Sequence, residues 1–495
     1  MVFNSVDFLI FFPIVLFIYF LIPRKVRYIW LLITSYYFYM SWNPKYAILI
    51  AVSTVITYAS GVLMGRLGTD TQGTTKKKKK WIVTLSFVTN IGILFFFKYF
   101  DFALVYVNQI LDAFHIEVIQ KPFDVLLPVG ISFYTFQALS YTMDVYRGDI
   151  EPERNIFKYA LFVSFFPQLV AGPIERSTNL MKQIQQVHTF RLWNYERITG
   201  GLALMLWGYF MKMVIADRLA ILVDFVFGNY LQFGGVILLV AAIFFAFQIY
   251  CDFGSYSLIA IGSAKIMGFS LMENFNTPYF SLSIKEFWRR WHISLSGWFR
   301  DYLYIPLGGN RKGRGRKYLN LMITFLVSGL WHGANFTFIV WGGLHGLYQI
   351  IGDLMEPVRK RYIKKEILPY RLCRGIITFA LVDFAWIFFR SNSLRDSALF
   401  IWNMIRYMDF SLLWNGSLYT LGLNHTEFWI AMISLVVLLI VDVIRYKKDM
   451  QLYEYLNTKM LPLRWGVYIF LIVAIYVFGI YGFAYDAAQF YYFQF

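Results

Sequence analysis

Three of the six histidines in the 495-residue chain lie within one stretch, at His292, His332 and His345. Imidazole suits acid–base catalysis because its pKa of about 6.5 lets it take up and return a proton near neutral pH. His332 ends an apolar run and precedes Gly333, where the run is interrupted. One histidine in an apolar segment is more often a hydrogen-bonded structural residue, but three among tryptophans and glycines favour chemistry. The pattern favours proton transfer at His332, of the kind that a hydroxyl attacking a thioester would need.

Polar and aromatic residues around these histidines are candidates for binding substrate. The stretch 285–302 is dense in tryptophan, arginine and serine, and Asn335 follows His332 by three positions. Asn335 could donate a hydrogen bond to a developing oxyanion. Polar residues that interrupt other apolar runs are costly to bury in a membrane, so we add them to the substrate-binding candidates. Each of them could instead hold two helices together by a hydrogen bond. The predicted substrate-binding residues are Asn335, Trp331, Trp288, Arg289, Ser296, Asp301, His345, Gln168 and Asp252.

Other chemistries find less support in the residue pattern. The histidines lack the His-Glu-x-x-His spacing of a zinc helix and have no carboxylates close by in sequence, so metal binding is a minor alternative. No Gly-x-Ser-x-Gly motif, P-loop or dinucleotide-binding glycine motif is present. The basic, glycine-rich run 311–317 could hold the phosphates of a cytoplasmic donor such as coenzyme A. Such a run is more often a topological anchor.

The composition places these residues in a membrane protein. Hydrophobic residues make up 58% of the chain and charged residues 15%, whereas soluble domains carry about 25% charged residues. The formal net charge of +17 fits retention of Lys and Arg on the cytoplasmic side better than nucleic-acid binding. We therefore expect a multi-pass protein of the cell membrane that contacts membrane lipids and no nucleic acid.

Apolar runs long enough to cross a bilayer need about 20 residues, and several here are shorter or interrupted. We expect about eleven transmembrane helices with additional re-entrant and interfacial helices, in one membrane domain over 1–495. Basic clusters at Arg24–Arg27 and Lys76–Lys80 are separated by two spans, which places both in the cytoplasm and the N-terminus outside. The candidate spans are 6–22, 27–41, 45–65, 81–99, 124–142, 156–172, 198–215, 235–252, 318–331, 335–352, 372–390, 426–443 and 465–484.

The elements around the histidines have their own patterns. Trp288, Trp291, Leu295, Trp298 and Phe299 form one stripe at helical spacing, which predicts a single amphipathic helix at a membrane interface. The i, i+4 spacing of Gln248 and Asp252 places both on one face of a helix. Gly342, Gly343 and Gly346 are expected to permit close approach of two backbones.

Several long motifs resemble the membrane-bound O-acyltransferases, and within them the bacterial alginate O-acetyltransferase branch. The resemblance extends over essentially the whole chain, and the motifs occur in the same order. The matching runs are Met1–Ser5, Pro128–Phe136, Val170–Arg176, Tyr250–Tyr256, Trp288–Gly309, Gly329–Gly333, Trp341–Gly346, Phe388–Arg390 and Phe493–Phe495.

This resemblance implies an all-α polytopic fold around a central funnel or tunnel. It implies that no cofactor is bound, and that acetyl-CoA or an acyl-carrier thioester serves as the cytoplasmic donor substrate. The family's near-invariant histidine corresponds to His332, and its second polar position corresponds to His292. Family members of this kind pass the acyl group to an extracytoplasmic partner of the SGNH-hydrolase type, which modifies a polysaccharide.

Two alternatives stay open at the level of sequence. A sibling acyltransferase that passes D-alanine from a carrier protein to teichoic acid shares the fold and the histidines. A transporter or flippase would also contain broken helices and buried charges, but it would move substrate without covalent transfer.

Overall fold

A computed structural model describes residues 1–68, 73–121, 127–191, 193–363 and 366–481. Within these ranges the regular structure is helical, which confirms the predicted all-α class. The α-helices are α1 Val6–Leu21, α2 Arg27–Met40, α3 Tyr46–Arg66, α4 Gly73–Ala113, α5 Ile131–Arg147, α6 Ile156–Ser164, α7 Phe166–Leu169, α8 Ser177–Gln185, α9 Tyr195–Tyr209, α10 Asp217–Gly228, α11 Gly235–Met267, α12 Ile284–Arg290, α13 Ile293–Phe299, α14 Gly313–His332, α15 Phe336–Tyr362, α16 Leu368–Arg390, α17 Leu394–Arg406, α18 His425–Lys448, α19 Leu452–Asn457 and α20 Leu461–Phe478.

Six of the described helices are long and apolar enough to cross a membrane: α3, α4, α11, α16, α18 and α20. Helix α1 is apolar but has only 16 residues. The multi-pass character is thus confirmed, while the number of about eleven spans and the central funnel stay predictions. Parts of two predicted spans, 124–126 and 482–484, lie outside the described residues, as does the motif Phe493–Phe495.

The chain divides into two compact units. Unit 1 comprises Met1–Gly201 with Ser263–Met272, and unit 2 comprises Leu202–Gly262 with Glu273–Phe495. Two of the three boundaries fall within helices α9 and α11, and the third falls in the irregular segment that follows α11. The single membrane domain over 1–495 stays a prediction.

Unit 1 has an aromatic core built from its first helices. The Phe8 and Phe12 rings stack with centroids 5.4 Å apart, and Phe166 meets Phe11 edge-to-face at 5.5 Å. Helix α5 begins after Gly130, whose φ of 77° and close approach to the Leu169 carbonyl both require glycine. The matched motif around Gly130 is therefore explained by packing.

In unit 2, helices α14 and α15 form an antiparallel hairpin joined by three residues. A Cβ atom at Gly329 would collide with the Phe338 carbonyl, and one at Gly342 with the Phe325 carbonyl. A Cβ atom at Gly346 would lie 3.0 Å from the Met322 sulfur. The predicted close approach of two backbones is confirmed for Gly342, whereas Gly343 and Gly346 face the side chains of Leu326 and Met322. The packing at Gly329 and Gly342 brings the end of α14 and the start of α15 together beside His332.

The predicted single amphipathic helix over the tryptophan stripe is wrong. The stretch forms two short helices, α12 and α13, because His292 adopts a left-handed conformation with φ 43° and ends the first helix. The stripe residues nevertheless all lie in the protein interior, each less than 9% exposed. The apolar periodicity identified the buried face correctly and missed the break.

Candidate active site

His292 is fully buried and held by Asn274. Its Nδ1 lies 3.1 Å from Asn274 Oδ1, which also accepts from the Ser294 backbone N–H and hydroxyl at 3.3 and 2.8 Å. Because a backbone N–H donates to this atom, it is the amide oxygen, and the His292 ring donates to it through Nδ1–H. The Nε2 of the neutral ring is then a hydrogen-bond acceptor. Burial lowers the pKa of His292 to about 3, which keeps the ring neutral.

The His292 backbone is fixed in the same way. The Ile293 N–H donates to the Asn274 carbonyl at 3.0 Å, and Asn274 Nδ2 donates to Ser257 at 3.2 Å. A left-handed conformation at a residue other than glycine costs about 1–3 kcal/mol and is found mainly at functional sites. The contacts of Asn274 stabilise this conformation and direct the ring into the helix junction.

His332 is the last residue of α14 and is 5% exposed. Three aromatic rings surround it roughly at right angles: Trp331 at 4.9 Å, Trp341 at 5.0 Å and Phe389 at 5.3 Å between centroids. These aromatic rings shield the imidazole from water. The surroundings suit a proton acceptor that works in a dry pocket.

His345 has the opposite hydrogen-bonding pattern from His292. Its Nδ1 accepts from the Trp288 indole N–H at 3.2 Å, so in the neutral ring Nε2 carries the proton. This Nε2–H is buried and has no acceptor among the described residues, and the same holds for the indole N–H of Trp341. Unpaired buried donors are rare in native proteins, so these two N–H groups distinguish this part of the interior.

Tryptophans connect the three histidines within unit 2. The Trp331 ring lies 4.9 Å from His332 and 6.2 Å from His292. The Trp341 ring lies 5.0 Å from both His332 and His345. The structure therefore gathers His292, His332, His345, Trp331 and Trp341 into one histidine–tryptophan cluster, to which Trp288 belongs through His345.

The contacts of the remaining predicted substrate-binding residues are with groups outside the histidine–tryptophan cluster. Asn335 caps α15 by accepting from the Thr337 N–H at 3.0 Å, and its Nδ2 donates to the Asn392 carbonyl at 2.6 Å. The oxygen and the nitrogen of this side-chain amide are thus both bonded to backbone groups. The structure adds no support for the predicted contact of Asn335 with an oxyanion. Ser296 bonds weakly to the Trp291 carbonyl at 3.4 Å, and Arg289 is exposed.

The predicted acidic candidates are both paired. Asp252 accepts from Lys212 at 2.6 Å, and Asp217 binds the same ammonium at 2.8 Å, with all three side chains buried. Lys212 is positioned by a π-helical stretch, Phe210–Ala216, between α9 and α10. Asp301 pairs with its neighbour Arg300 at 2.7 Å.

Gln168 belongs to unit 1, where it is buried near the Phe162 carbonyl at 3.4 Å. It is therefore not part of the cluster formed by residues of unit 2. The predicted one-face placement of Gln248 and Asp252 is confirmed, since both lie in the continuous helix α11.

Two residues of the site, Asn274 and Trp386, had no signal in the sequence, and Phe389 was indicated only by the resemblance at Phe388–Arg390. Asn274 lies in an irregular segment 18 positions before His292, and Phe389 and Trp386 lie on α16. The Trp386 ring stacks on Trp341 at 5.7 Å. Only the tertiary fold brings these segments together, and the resemblance at Phe388–Arg390 was the sole pointer to α16.

Comparison with known proteins decides the family. The model of the MBOAT family, membrane-bound O-acyltransferases, matches residues 151–367, which include all three cluster histidines. The probable alginate O-acetylase AlgI of Pseudomonas putida is 41% identical over 419 residues, covering 83% of this chain and 82% of the relative. The chain belongs to the membrane-bound O-acyltransferase family. This acyltransferase is thus a multi-pass membrane enzyme, as the motifs predicted.

Two further relatives mark the range of acceptors in the group. The peptidoglycan O-acetyltransferase of Helicobacter pylori is 35% identical over 401 residues, covering 76% of this chain and 73% of the relative. The teichoic acid D-alanyltransferase of Bacillus subtilis is 27% identical over 297 residues, covering 56% of this chain and 71% of the relative. Similarity to the acetyl-transferring relatives is higher in both identity and coverage.

Proposed function

We propose that this acyltransferase moves an acetyl group from a cytoplasmic thioester to an extracytoplasmic polysaccharide, through a partner of the SGNH-hydrolase type. The observation that carries the proposal is the placement of His332 among Trp331, Trp341 and Phe389, in a chain 41% identical to a probable alginate O-acetylase. Polysaccharide acetylation is supported by the names of the relatives, one acting on alginate and one on peptidoglycan.

His332 is the general base in this proposal. It takes the proton from the attacking hydroxyl, whose oxygen forms a bond to the thioester carbonyl carbon. Collapse of the tetrahedral intermediate breaks the carbon–sulfur bond, and the imidazolium returns its proton to the leaving thiolate. Proton and electron pair are balanced without a metal or a redox partner. The ring walls around His332 exclude water, which would otherwise compete as the nucleophile.

The other two histidines have complementary roles. His292 presents an acceptor at Nε2, which suits orienting the hydroxyl of the incoming acceptor. His345 and Trp341 present buried N–H groups without acceptors, which suits binding the oxygen of the thioester as negative charge develops on it. Trp341 supports this pairing because its ring contacts both His332 and His345.

The phosphates of the donor are assigned to the basic run before and within the start of α14. Residues 311–316 are exposed, whereas Lys317 is engaged by Asp353 at 2.6 Å and Tyr318 donates to the same carboxylate at 2.9 Å. This anchoring fixes the end of the run and leaves the preceding arginines and lysine for a soluble anion.

Radiolabelled acetyl-CoA supplied to sealed membrane vesicles tests the proposal. Wild type is expected to form alkali-labile O-acetyl esters on an acceptor at the opposite face. His332→Ala is expected to form none, while His188→Ala, which alters an exposed histidine, retains activity. Transfer of D-alanine from a carrier protein in place of acetyl would overturn the acyl assignment. Movement of intact substrate without ester formation would favour a transporter.

A further inference from the structure

Arg27, in unit 1, is a buried cation without a counter-charge. The side chain is 1% exposed, and no described carboxylate forms an ion pair with it. Its contacts are the Phe190 carbonyl at 3.4 Å and Tyr19, whose ring centroid lies 5.1 Å from the guanidinium carbon and whose hydroxyl also interacts with the guanidinium. Both partners are uncharged. The Nε atom is buried with no hydrogen-bond partner. Since arginine stays protonated in proteins, the positive charge has to be balanced by something else.

The backbone around Arg27 adds further positive charge to that of the guanidinium group. Arg27 is the first residue of α2, whose first turn has no acidic residue and whose N-cap, Val26, provides no side-chain cap. A helix N-terminus carries a partial positive charge and unpaired N–H groups, so a cation is unfavourable there and an anion is favourable. The preceding turn adds two exposed cations, Arg24 and Lys25.

A second arginine approaches from α9. The Arg197 guanidinium lies against Gly268, 3.2 Å from where a Cβ atom would be, and it repels Arg27 electrostatically. Tyr19, between the two arginines, is anchored by its hydroxyl to the Met267 carbonyl at 2.9 Å. Four cations, Arg24, Lys25, Arg27 and Arg197, therefore lie at or near one helix terminus, and only Arg27 among them is fully buried.

We propose that Arg27, Arg197 and the N-terminus of α2 form a binding site for a phosphate group. Guanidinium groups and helix N-termini both favour phosphate oxygens, which can accept several charge-assisted hydrogen bonds at once. The phosphate belongs to a lipid headgroup or to a soluble phosphate ester. This site is independent of the proposed acetyl transfer, because it uses no residue of the histidine–tryptophan cluster.

Thermal unfolding of the delipidated full-length protein in neutral detergent tests the site. The probes are inorganic phosphate, phosphatidylglycerol and coenzyme A, each compared with chloride at equal ionic strength. We expect a saturable rise of at least about 2 °C in the wild-type midpoint with a phosphate-bearing probe. A rise that occurs with phosphatidylglycerol and is lost in Arg27→Gln identifies a lipid source, and a rise that occurs with coenzyme A and is lost in Arg27→Gln identifies a soluble source. A rise with coenzyme A that Arg27→Gln retains belongs to the proposed donor site at residues 311–316.

Arg27→Gln supplies the decisive comparison, with Lys45→Gln as the matched control beyond the opposite end of α2. The first variant is expected to lose the phosphate-dependent rise and to be no less stable than wild type without phosphate, because an unbalanced buried charge is removed. The control retains the rise. If Arg27→Gln does not fold, Arg197→Gln is expected to weaken phosphate affinity about tenfold. The proposed site would be contradicted if phosphate-bearing probes raised the thermal midpoints of wild type and of these variants equally. It would also be contradicted if they raised the wild-type midpoint no more than chloride does.

Discussion

Two buried polar groupings in unit 2 use their charges and hydrogen bonds in opposite ways. In the Lys212–Asp217–Asp252 ion cluster, one ammonium binds two carboxylates at 2.8 and 2.6 Å. In the histidine–tryptophan cluster, aromatic faces surround neutral rings, and His345 and Trp341 keep N–H groups without acceptors. The first arrangement pairs its charges with one another and links the π-helical segment before α10 to α11. The second leaves two buried donors unused, and the proposed function assigns them to the substrate.

The comparison explains why a polar residue in an apolar run is an ambiguous signal. Asp252 and His332 both interrupt apolar sequence, and both are buried. Asp252 is matched by a lysine 40 positions earlier in the chain, whereas His332 is surrounded by rings. The surroundings that distinguish an ion-paired carboxylate from an imidazole enclosed by rings come from segments distant in sequence, so the residue pattern alone could not tell the two apart.

Lys212→Met is expected to have the largest effect, on stability. Removing the ammonium leaves two buried carboxylates uncompensated, which costs about 3–5 kcal/mol. Yield of folded protein and the thermal midpoint should fall steeply, while the kcat of any folded fraction stays near that of wild type. A large loss of kcat in well-folded Lys212→Met protein would show that the ion cluster takes part in chemistry.

His292 variants are expected to have the next largest effect, on activity. His292→Ala removes the Nε2 acceptor and strains the left-handed backbone, so kcat should fall about 10²-fold or more and stability should fall too. His292→Asn should recover stability, because asparagine tolerates positive φ, without recovering kcat. Measuring both the activity and the thermal unfolding of each variant separates the effect on kcat from the effect on stability. If His292→Asn restored kcat, the reaction would not require an imidazole at position 292.

His345→Phe should lower kcat with little change in KM for the donor, since it removes the N–H proposed to bind the developing oxyanion. Loss of one such donor typically costs about 10²-fold. Steady-state kinetics over a range of donor concentrations gives the two parameters separately. An increase in KM with unchanged kcat would assign His345 to ground-state binding.

Trp288→Phe is expected to have the smallest effect of the series. It removes the N–H that holds the His345 tautomer but leaves His345 Nε2 in place, so kcat should fall about tenfold or less. The same kinetic assay applies. A larger loss than that of His345→Phe would show that Trp288 acts on the substrate itself.

Much of this arrangement could be predicted from sequence. Composition and apolar runs predicted a helical membrane protein, and motif resemblance identified the acyltransferase family. The break at His292 could not be predicted from periodicity, because the stripe over Trp288–Phe299 continues across a left-handed residue. A backbone conformation held by Asn274 is a tertiary effect.

Site membership was predictable only in part. His292, His332, His345, Trp288 and Trp331 come together because they are carried by α12–α15. Gln168 was grouped with them on polarity alone, yet it lies in unit 1. Trp341 and Phe389 complete the walls around His332 through contacts between α15 and α16, which no local pattern encodes.

The central claim is that His332 accepts the proton of the attacking hydroxyl. A single-turnover experiment with preloaded labelled acetyl donor measures this chemical step directly in wild type and in His332→Ala. The rate constant of the variant should be lower by at least about 10²-fold, with donor affinity and thermal midpoint unchanged. A folded His332→Ala protein that transfers its acetyl group at the wild-type rate would contradict the assignment.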